Sequence, residues 1–300
     1  MPNNFPALTK ILLSLLFLIT SCEPKHSKMN DLKKQIQAKF ASIKGEFALA
    51  YKDLDNPSDT LFINAFTDFH AASTMKTAVM LEVFKQAQEG KFALTDSLTL
   101  KNEFKSIVDS SAYSLDVADD SEEVLYSSLG QKRTIYQLVY EMITVSSNLA
   151  TNMLIEIVGA ENVTQTLHSL GINQMKVLRG VEDSKAFGKG MNNTVTAYDL
   201  ALLLEKIAMN QVLNVKACEE MRKILLNQKF NDVIPALLPQ EVKVAHKTGT
   251  ITGVHHDSAI VYLPNGKKYV LVLLSRKMED FDKGTKMLSE VSKLIYEYAM

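Results

Sequence analysis

Two cysteines in 300 residues leave no room for a disulfide scaffold. Charge of one sign is also missing: 33 Lys and Arg stand against 34 Asp and Glu, a formal net charge of −1. With no long basic run either, the footprint of a nucleic-acid binder is absent, and a small molecule is the expected partner. The six histidines form no H-x-x-x-H pair and no C-x-x-C accompanies them; His255 and His256 are adjacent and would point to opposite faces of a strand. Neither a metal nor another cofactor is expected. There is no G-x-S-x-G, which disfavours an α/β-hydrolase, and no internal repeat. What the chain does have is an ordinary globular share of hydrophobic residues, 46 %, enough for one large domain or two small ones and unlike a disordered or fibrous protein.

The apolar run ILLSLLFLI at 11–19, preceded by Lys10, is too short for a comfortable permanent span and has the length of a signal peptide, which points to export. The following Leu18-Ile19-Thr20-Ser21-Cys22 resembles a bacterial lipobox, in which Cys22 would be lipidated and become the first mature residue. A simple secretory signal with Cys22 there by chance is the alternative. A diacylglycerol thioether plus an amide-linked chain would supply the two signals that stable membrane anchoring needs. The expected division is a signal peptide at 1–21, a polar tether at 22–30 and a catalytic domain at 31–300. Cys218 then has no partner; it lies in the amphipathic VKACEEMRKILL, where burial is expected rather than reactivity.

Strand signals gather at the two ends of the chain. Runs at 47–51 and 61–65 flank the turn composition Asp55-Asn56-Pro57-Ser58-Asp59, which predicts a hairpin. Three more runs lie at 242–246, 258–263 and 269–274, the last two around Pro264-Asn265-Gly266. The middle is helical: Val79, Met80, Val83, Phe84 and Ala87 keep a 3.6-residue period up to Gly90, and Ile135, Leu138, Val139, Met142 and Ile143 do the same. Further helices are predicted at 150–158, at 163–170, after the N-cap Thr196, and at the C-terminus through Met287, Leu288, Val291, Leu294, Ile295 and Tyr298. The pattern implies an α+β fold: one sheet drawn from 31–68 and 215–300, with an all-helical part at 69–214 inserted. The cleft between them is the place to look for a site. The Ser-, Asp- and Glu-rich stretch 109–128 reads as a solvated loop without a role.

Three short motifs sit at wide intervals. Ser73 and Lys76 open a helix at i and i+3, on one face, so the amine could take the hydroxyl's proton if burial or a nearby cation lowers its proton affinity. Ser146-Ser147-Asn148 places two polar side chains at i and i+2, which reach one ligand only if the backbone turns; alone, an N-cap explains it as well. Lys247-Thr248-Gly249-Thr250 falls at the predicted end of the strand begun by Val242, where a cation beside glycine suits a carboxylate held close to the backbone. Alone, that lysine is as well read as a solvated strand end.

Together, S-x-x-K, S-x-N and K-T-G in that order resemble the signature of class A β-lactamases and penicillin-binding proteins, from about Asp31 onward. The resemblance implies a β-lactamase-like fold and a serine hydrolase that works through an acyl-serine. Ser73 would be the nucleophile and Lys76 its proton partner. Ser146 would carry a proton to the leaving nitrogen, and Asn148 would bind the substrate amide. Lys247 and Thr248 would hold the carboxylate, Lys247 would also lower the proton affinity of Lys76, and the backbone N–H groups of Ser73 and Thr250, beside Gly249, would receive the oxyanion.

Clearing the acyl group needs a general base, which the family carries as a glutamate shortly after an arginine. In LRGVEDSKAFGKG these are Arg179 and Glu182. The spacing departs from the family pattern: the glutamate comes three residues on instead of two, no proline follows, no asparagine partner is evident, and Gly180, Gly188 and Gly190 imply a flexible loop. A salt bridge from Glu182 to Arg179 that pins the loop is the rival reading. Ser147 also stands where the family has Asp. Three functions follow: a lipid-anchored, monomeric β-lactamase taking a small-molecule β-lactam; a D-Ala-D-Ala carboxypeptidase or related hydrolase acting on cell-wall peptides or esters; and a non-catalytic envelope-binding module, which would have no need of Lys76.

Overall fold

A computed structural model describes residues 1–2 and 25–300; the run at 11–19, Cys22 and the residues up to 24 lie outside the described residues. Helix α1 (Lys25–Ala41) starts within the stretch read as a tether, so residues 25–30 are its opening turns. Strands β1 (Glu46–Asp53) and β2 (Thr60–Ile63) form the predicted hairpin. After them come the short β3 (Phe69–His70), a 3-10 turn at Ala72–Met75, and α2 (Lys76–Gln88). The solvated loop is more built than its composition implied. It follows β4 (Ser97–Thr99) and β5 (Phe104–Lys105), contains β6 (Ala112–Tyr113) and α3 (Val124–Ser127), and leads to β7 (Lys132–Thr134).

The helical part continues with α4 (Ile135–Thr144), α5 (Asn148–Val158), α6 (Ala160–Ser169) and the short α7 (Ser184–Gly188). A reciprocal Thr134–Gln137 capping box starts α4. Strand β8 (Thr194–Val195) pairs with β3, and α8 (Ala197–Ala208) and α9 (Val215–Leu225) bring the chain back against the sheet. Cys218, on α9, is fully buried. Then come β9 (Lys243–Ile251), β10 (Val254–Tyr262), β11 (Lys268–Arg276) and α10 (Phe281–Ala299). The sheet order is β2-β1-β11-β10-β9, antiparallel throughout, with Glu46 opposite Arg276 joining the two chain ends. A sheet from both ends with helices inserted is therefore the observed architecture.

Strand alternation gives this sheet two apolar faces. Ala48 and Ala50 of β1 and Val270, Val272 and Leu274 of β11 face the helical part, while Phe47, Leu49 and Tyr51 with Leu271 and Leu273 face α1 and α10. A sheet covered on both sides reads as continuous hydrophobic runs, which is why these strands were legible. Ile36 and Ile295, both fully buried, illustrate the gain from the outer layer, roughly 2 kcal/mol for each such side chain. One boundary differs from expectation. K-T-G lies inside β9, which runs on to Ile251 and turns through Thr252 and Gly253 into β10, so the motif occupies the middle of an edge strand.

Candidate active site

The nucleophile turn is held from three directions. Ala72 has φ +43°, left-handed for a residue with a Cβ, and its N–H donates to His70 Nδ1 at 3.1 Å. The His70 carbonyl accepts from His256 Nε2 at 2.9 Å, and the Ser275 N–H donates to His256 Nδ1 at 3.1 Å. Burial lowers the His256 pKa to about 4, so this ring is a neutral brace between β10 and the nucleophile turn. From the third side β9 presses on the turn: a Cβ at Gly249 would stand 3.0 Å from the Ser73 nitrogen and 3.1 Å from that of Thr74. The glycine of K-T-G is required by backbone against backbone.

Ser73 is half-buried and lines a cleft of about 810 Å³; among the described residues its hydroxyl has no hydrogen-bond partner. Lys76, three residues further on, is fully buried and donates not to Ser73 but to Ser146 O at 2.6 Å, Asn148 Oδ1 at 2.9 Å and Ser146 Oγ at 3.3 Å. Lys247, also fully buried, reaches the same Ser146 Oγ at 3.0 Å. One serine hydroxyl thus joins two buried amines. Burial lowers the Lys76 pKa to about 7, against the pull of Asp120 and Glu182. Lys247 is held well below its usual range by burial and by the charge of Lys76. Of the two causes expected, burial and a nearby cation, it is burial that lowers the proton affinity of Lys76.

The S-x-N turn reconciles its two readings. Ser146 has φ +59°, and Ser147 is the N-cap of α5, accepting from the Ala150 N–H at 3.2 Å. The cap is the middle residue, and the turn it makes lets Ser146 and Asn148 both face Lys76. Thr248 does not line the cleft; it alternates with Lys247 along β9 and is 4 % exposed, whereas Thr250 is exposed at the rim. His246, facing away from Lys247 as expected, is buried against Asp257 at 3.0 Å.

Glu182 reaches the cleft wall with φ +61°. Its Oε1 accepts from Asn148 Nδ2 at 2.9 Å and its Oε2 from the Asp116 N–H at 3.2 Å. Asn148 is thus the asparagine partner that was not evident in the local sequence. Burial lifts the Glu182 pKa above its ordinary value, opposed by those two hydrogen bonds. The rival salt bridge is not formed: Arg179 spends its guanidinium on Met191 O at 2.9 Å, Gly180 O at 2.9 Å and Asn192 Oδ1 at 3.3 Å. Gly180 is a tight contact instead of a flexible joint, since a Cβ there would come within 2.5 Å of Asn152 Oδ1, the atom that accepts from the Val181 N–H at 2.7 Å. Asn193 holds the other side of this loop, accepting from Leu178 N at 2.8 Å and donating to Arg179 O at 3.0 Å.

Sequence reasoning missed Asn152, Asn193 and Asp120 because each works through backbone groups distant in sequence, and His70 because its single bond to the Ala72 N–H makes no pattern. Asp120 carries the clearest correction. It lies in the stretch read as role-free, yet its Oδ2 accepts from the N–H groups of Asn148 and Leu149 at 2.8 and 2.9 Å.

The model of the Beta-lactamase enzyme family matches residues 31–299. The chain belongs to that family. Beta-lactamase VEB-1 of Pseudomonas aeruginosa is 22 % identical over 305 residues, covering 96 % of this chain and 97 % of that protein. Among solved structures, the TLA-1 extended-spectrum beta-lactamase superposes with a TM-score of 0.80 at 21 % identity, over 91 % of this chain and 99 % of its own. PBP-A superposes at 0.77 with 27 % identity, over 89 % of this chain and 95 % of its own. The fold is therefore β-lactamase-like.

Proposed function

We propose that this family member is a class A-type serine β-lactamase that hydrolyses the β-lactam amide through an acyl-Ser73 intermediate. One observation carries the reading beyond acylation: Glu182, with its proton affinity raised, stands in the wall of the Ser73 cleft and is hydrogen-bonded to Asn148. Ser73 Oγ attacks the lactam carbonyl and its proton passes to the Lys76 amine, which at a pKa of about 7 is half neutral near physiological pH. The N–H groups of Ser73 and Thr250 receive the oxyanion. As the C–N bond breaks, the nitrogen takes a proton through Ser146, between the two lysines. Asn148 orients the substrate amide, and Lys247 supports the carboxylate end, without the help expected of Thr248, which faces away from the cleft. Glu182 then takes a proton from water, the hydroxide attacks the ester, and Ser73 leaves with a proton.

The export reading belongs to the same proposal: cleavage before Cys22, lipidation of that residue and a membrane-anchored domain facing the cell envelope. Mass spectrometry of the mature N-terminus tests it, and an unmodified Cys22 sinks it.

The activity test uses the full chain in detergent with a chromogenic cephalosporin and, separately, a labelled penicillin. Many turnovers that fall by about 10⁵ or more in Ser73→Ala support the lactamase. A single stoichiometric label without turnover returns the assignment to a carboxypeptidase-like enzyme acting on cell-wall peptides. Absence of both label and turnover removes both enzyme readings and leaves the binding module.

A further inference from the structure

The first turn of a helix leaves N–H groups that its own backbone cannot satisfy. In α5, Ser147 caps Ala150 with its hydroxyl, so Asn148 and Leu149 need another acceptor. Asp120, in the loop that precedes α3, provides it. Its Oδ2 accepts from Asn148 N at 2.8 Å, Leu149 N at 2.9 Å, Tyr126 OH at 2.9 Å and Ser147 Oγ at 3.5 Å, while its Oδ1 accepts from Glu122 N at 3.2 Å. Only 9 % of Asp120 is exposed, so water does not compete well for these bonds.

We propose that Asp120 is a positioning residue for the reaction: it docks the start of α5, and with it Ser146 and Asn148, onto Lys76, and it sets a buried carboxylate one hydrogen-bonded residue away from that amine. The first half follows from adjacency. The backbone N–H that Asp120 grips belongs to Asn148, whose side chain touches both Lys76 and Glu182. The second half follows from the charges around Lys76. Burial disfavours its charge, while Asp120 and Glu182 from two separate loops favour it; Lys247 on β9 in turn feels the charge of Lys76. Around Asp120 stand Tyr126 of α3 and, further along its own loop, Asp116 and Asp119, which bear on Tyr126 and Glu182. The amine that accepts the Ser73 proton must hold it until the leaving nitrogen needs it, so burial unopposed by Asp120 and Glu182 would leave Lys76 a poorer acceptor.

This inference rests on the lactamase reading for its consequence, but one of its tests does not. The Lys76 ammonium can be titrated by NMR with labelled lysine, in the parent chain and in Asp120→Asn. Loss of the charge with shape retained is expected to lower the Lys76 midpoint by about half a unit to one unit and to move the acid limb of penicillin acylation down by the same amount. In Asp120→Ala, acylation is expected to fall about 100-fold through misplacement of Ser146 and Asn148. An unmoved lysine midpoint in Asp120→Asn overturns the proposal, as does a folded Asp120→Ala that acylates within about threefold of the parent. If Asp120→Ala fails to fold, the titration decides alone. A parent chain that penicillin does not label sinks the lactamase reading, and the lysine titration still reports on Asp120.

Discussion

The two walls of the cleft are built differently. On one side, Lys76, Ser146 and Lys247 are almost fully buried, rise from a helix start, the turn before a helix and a strand, and meet at the Ser146 hydroxyl. On the other, Glu182 is half-buried in a loop, in a left-handed conformation, and its carboxylate is steered by one side-chain amide and one backbone N–H. On the proposed mechanism, attack on the substrate is thus built into the core, while release depends on how that loop is tied down. Buried groups on regular elements keep their geometry through packing, and loop groups keep theirs through individual hydrogen bonds. The two halves of the reaction should therefore be separable by mutation.

The largest separation is expected from Glu182→Gln. Glutamine can still accept from the Asp116 N–H but cannot take a proton from water. Deacylation should fall about 1,000-fold, acylation should stay within about tenfold, and the acyl-enzyme should accumulate as a mass shift on the intact chain. Multiple turnovers at the parent rate would place the base elsewhere. Next in size is Gly249→Ala, which strikes the other wall. The added methyl meets the backbone nitrogens of Ser73 and Thr74 at 3.0 and 3.1 Å, and neither atom can swing aside as a side chain would. Acylation should drop about 100-fold, with deacylation of whatever ester forms much less affected. Stopped-flow rates for the two steps distinguish this from a general loss of folded protein.

The same division explains what could be read from sequence. The sheet was visible because β1, β10 and β11 are covered on both faces and read as apolar runs, and Ser73, Lys76, Ser146, Asn148 and Lys247 were visible because motif spacing marks them. The loop was not visible in the same way. Asn148 as the partner of Glu182 lies 34 residues away in the chain, so no local pattern announces it. Gly180 looked like a hinge and is a contact with Asn152; Arg179 looked like the mate of Glu182 and binds backbone carbonyls. Asp120 was hidden by composition, since a stretch rich in Ser, Asp and Glu gives the same impression whether it is solvated or supplies the one acceptor a helix start lacks. The extension of β9 past the expected 242–246 was hidden because Lys247 and Gly249 are weak strand signals in sequence, and only the pairing with β10 shows why the strand continues.

The smallest expected effect probes both walls at once, through pH. On the proposed mechanism acylation uses neutral Lys76, whose pKa burial has brought down to about 7, so its rate should rise with pH through that value and be about tenfold lower at pH 6 than on its plateau. Deacylation uses ionised Glu182, whose pKa burial has raised from the carboxylate range, so it too is lost on acidification, but around its own midpoint. Both limbs therefore fall towards acid for opposite reasons: Lys76 gains a charge that stops it accepting a proton, and Glu182 loses the charge that makes it a base. Single-turnover rates from pH 5 to 9 should show two separate limbs, with the one near 7 confined to acylation. A common midpoint for both steps would mean that one group serves both, and that the contrast between a buried wall and a loop wall does not extend to the chemistry.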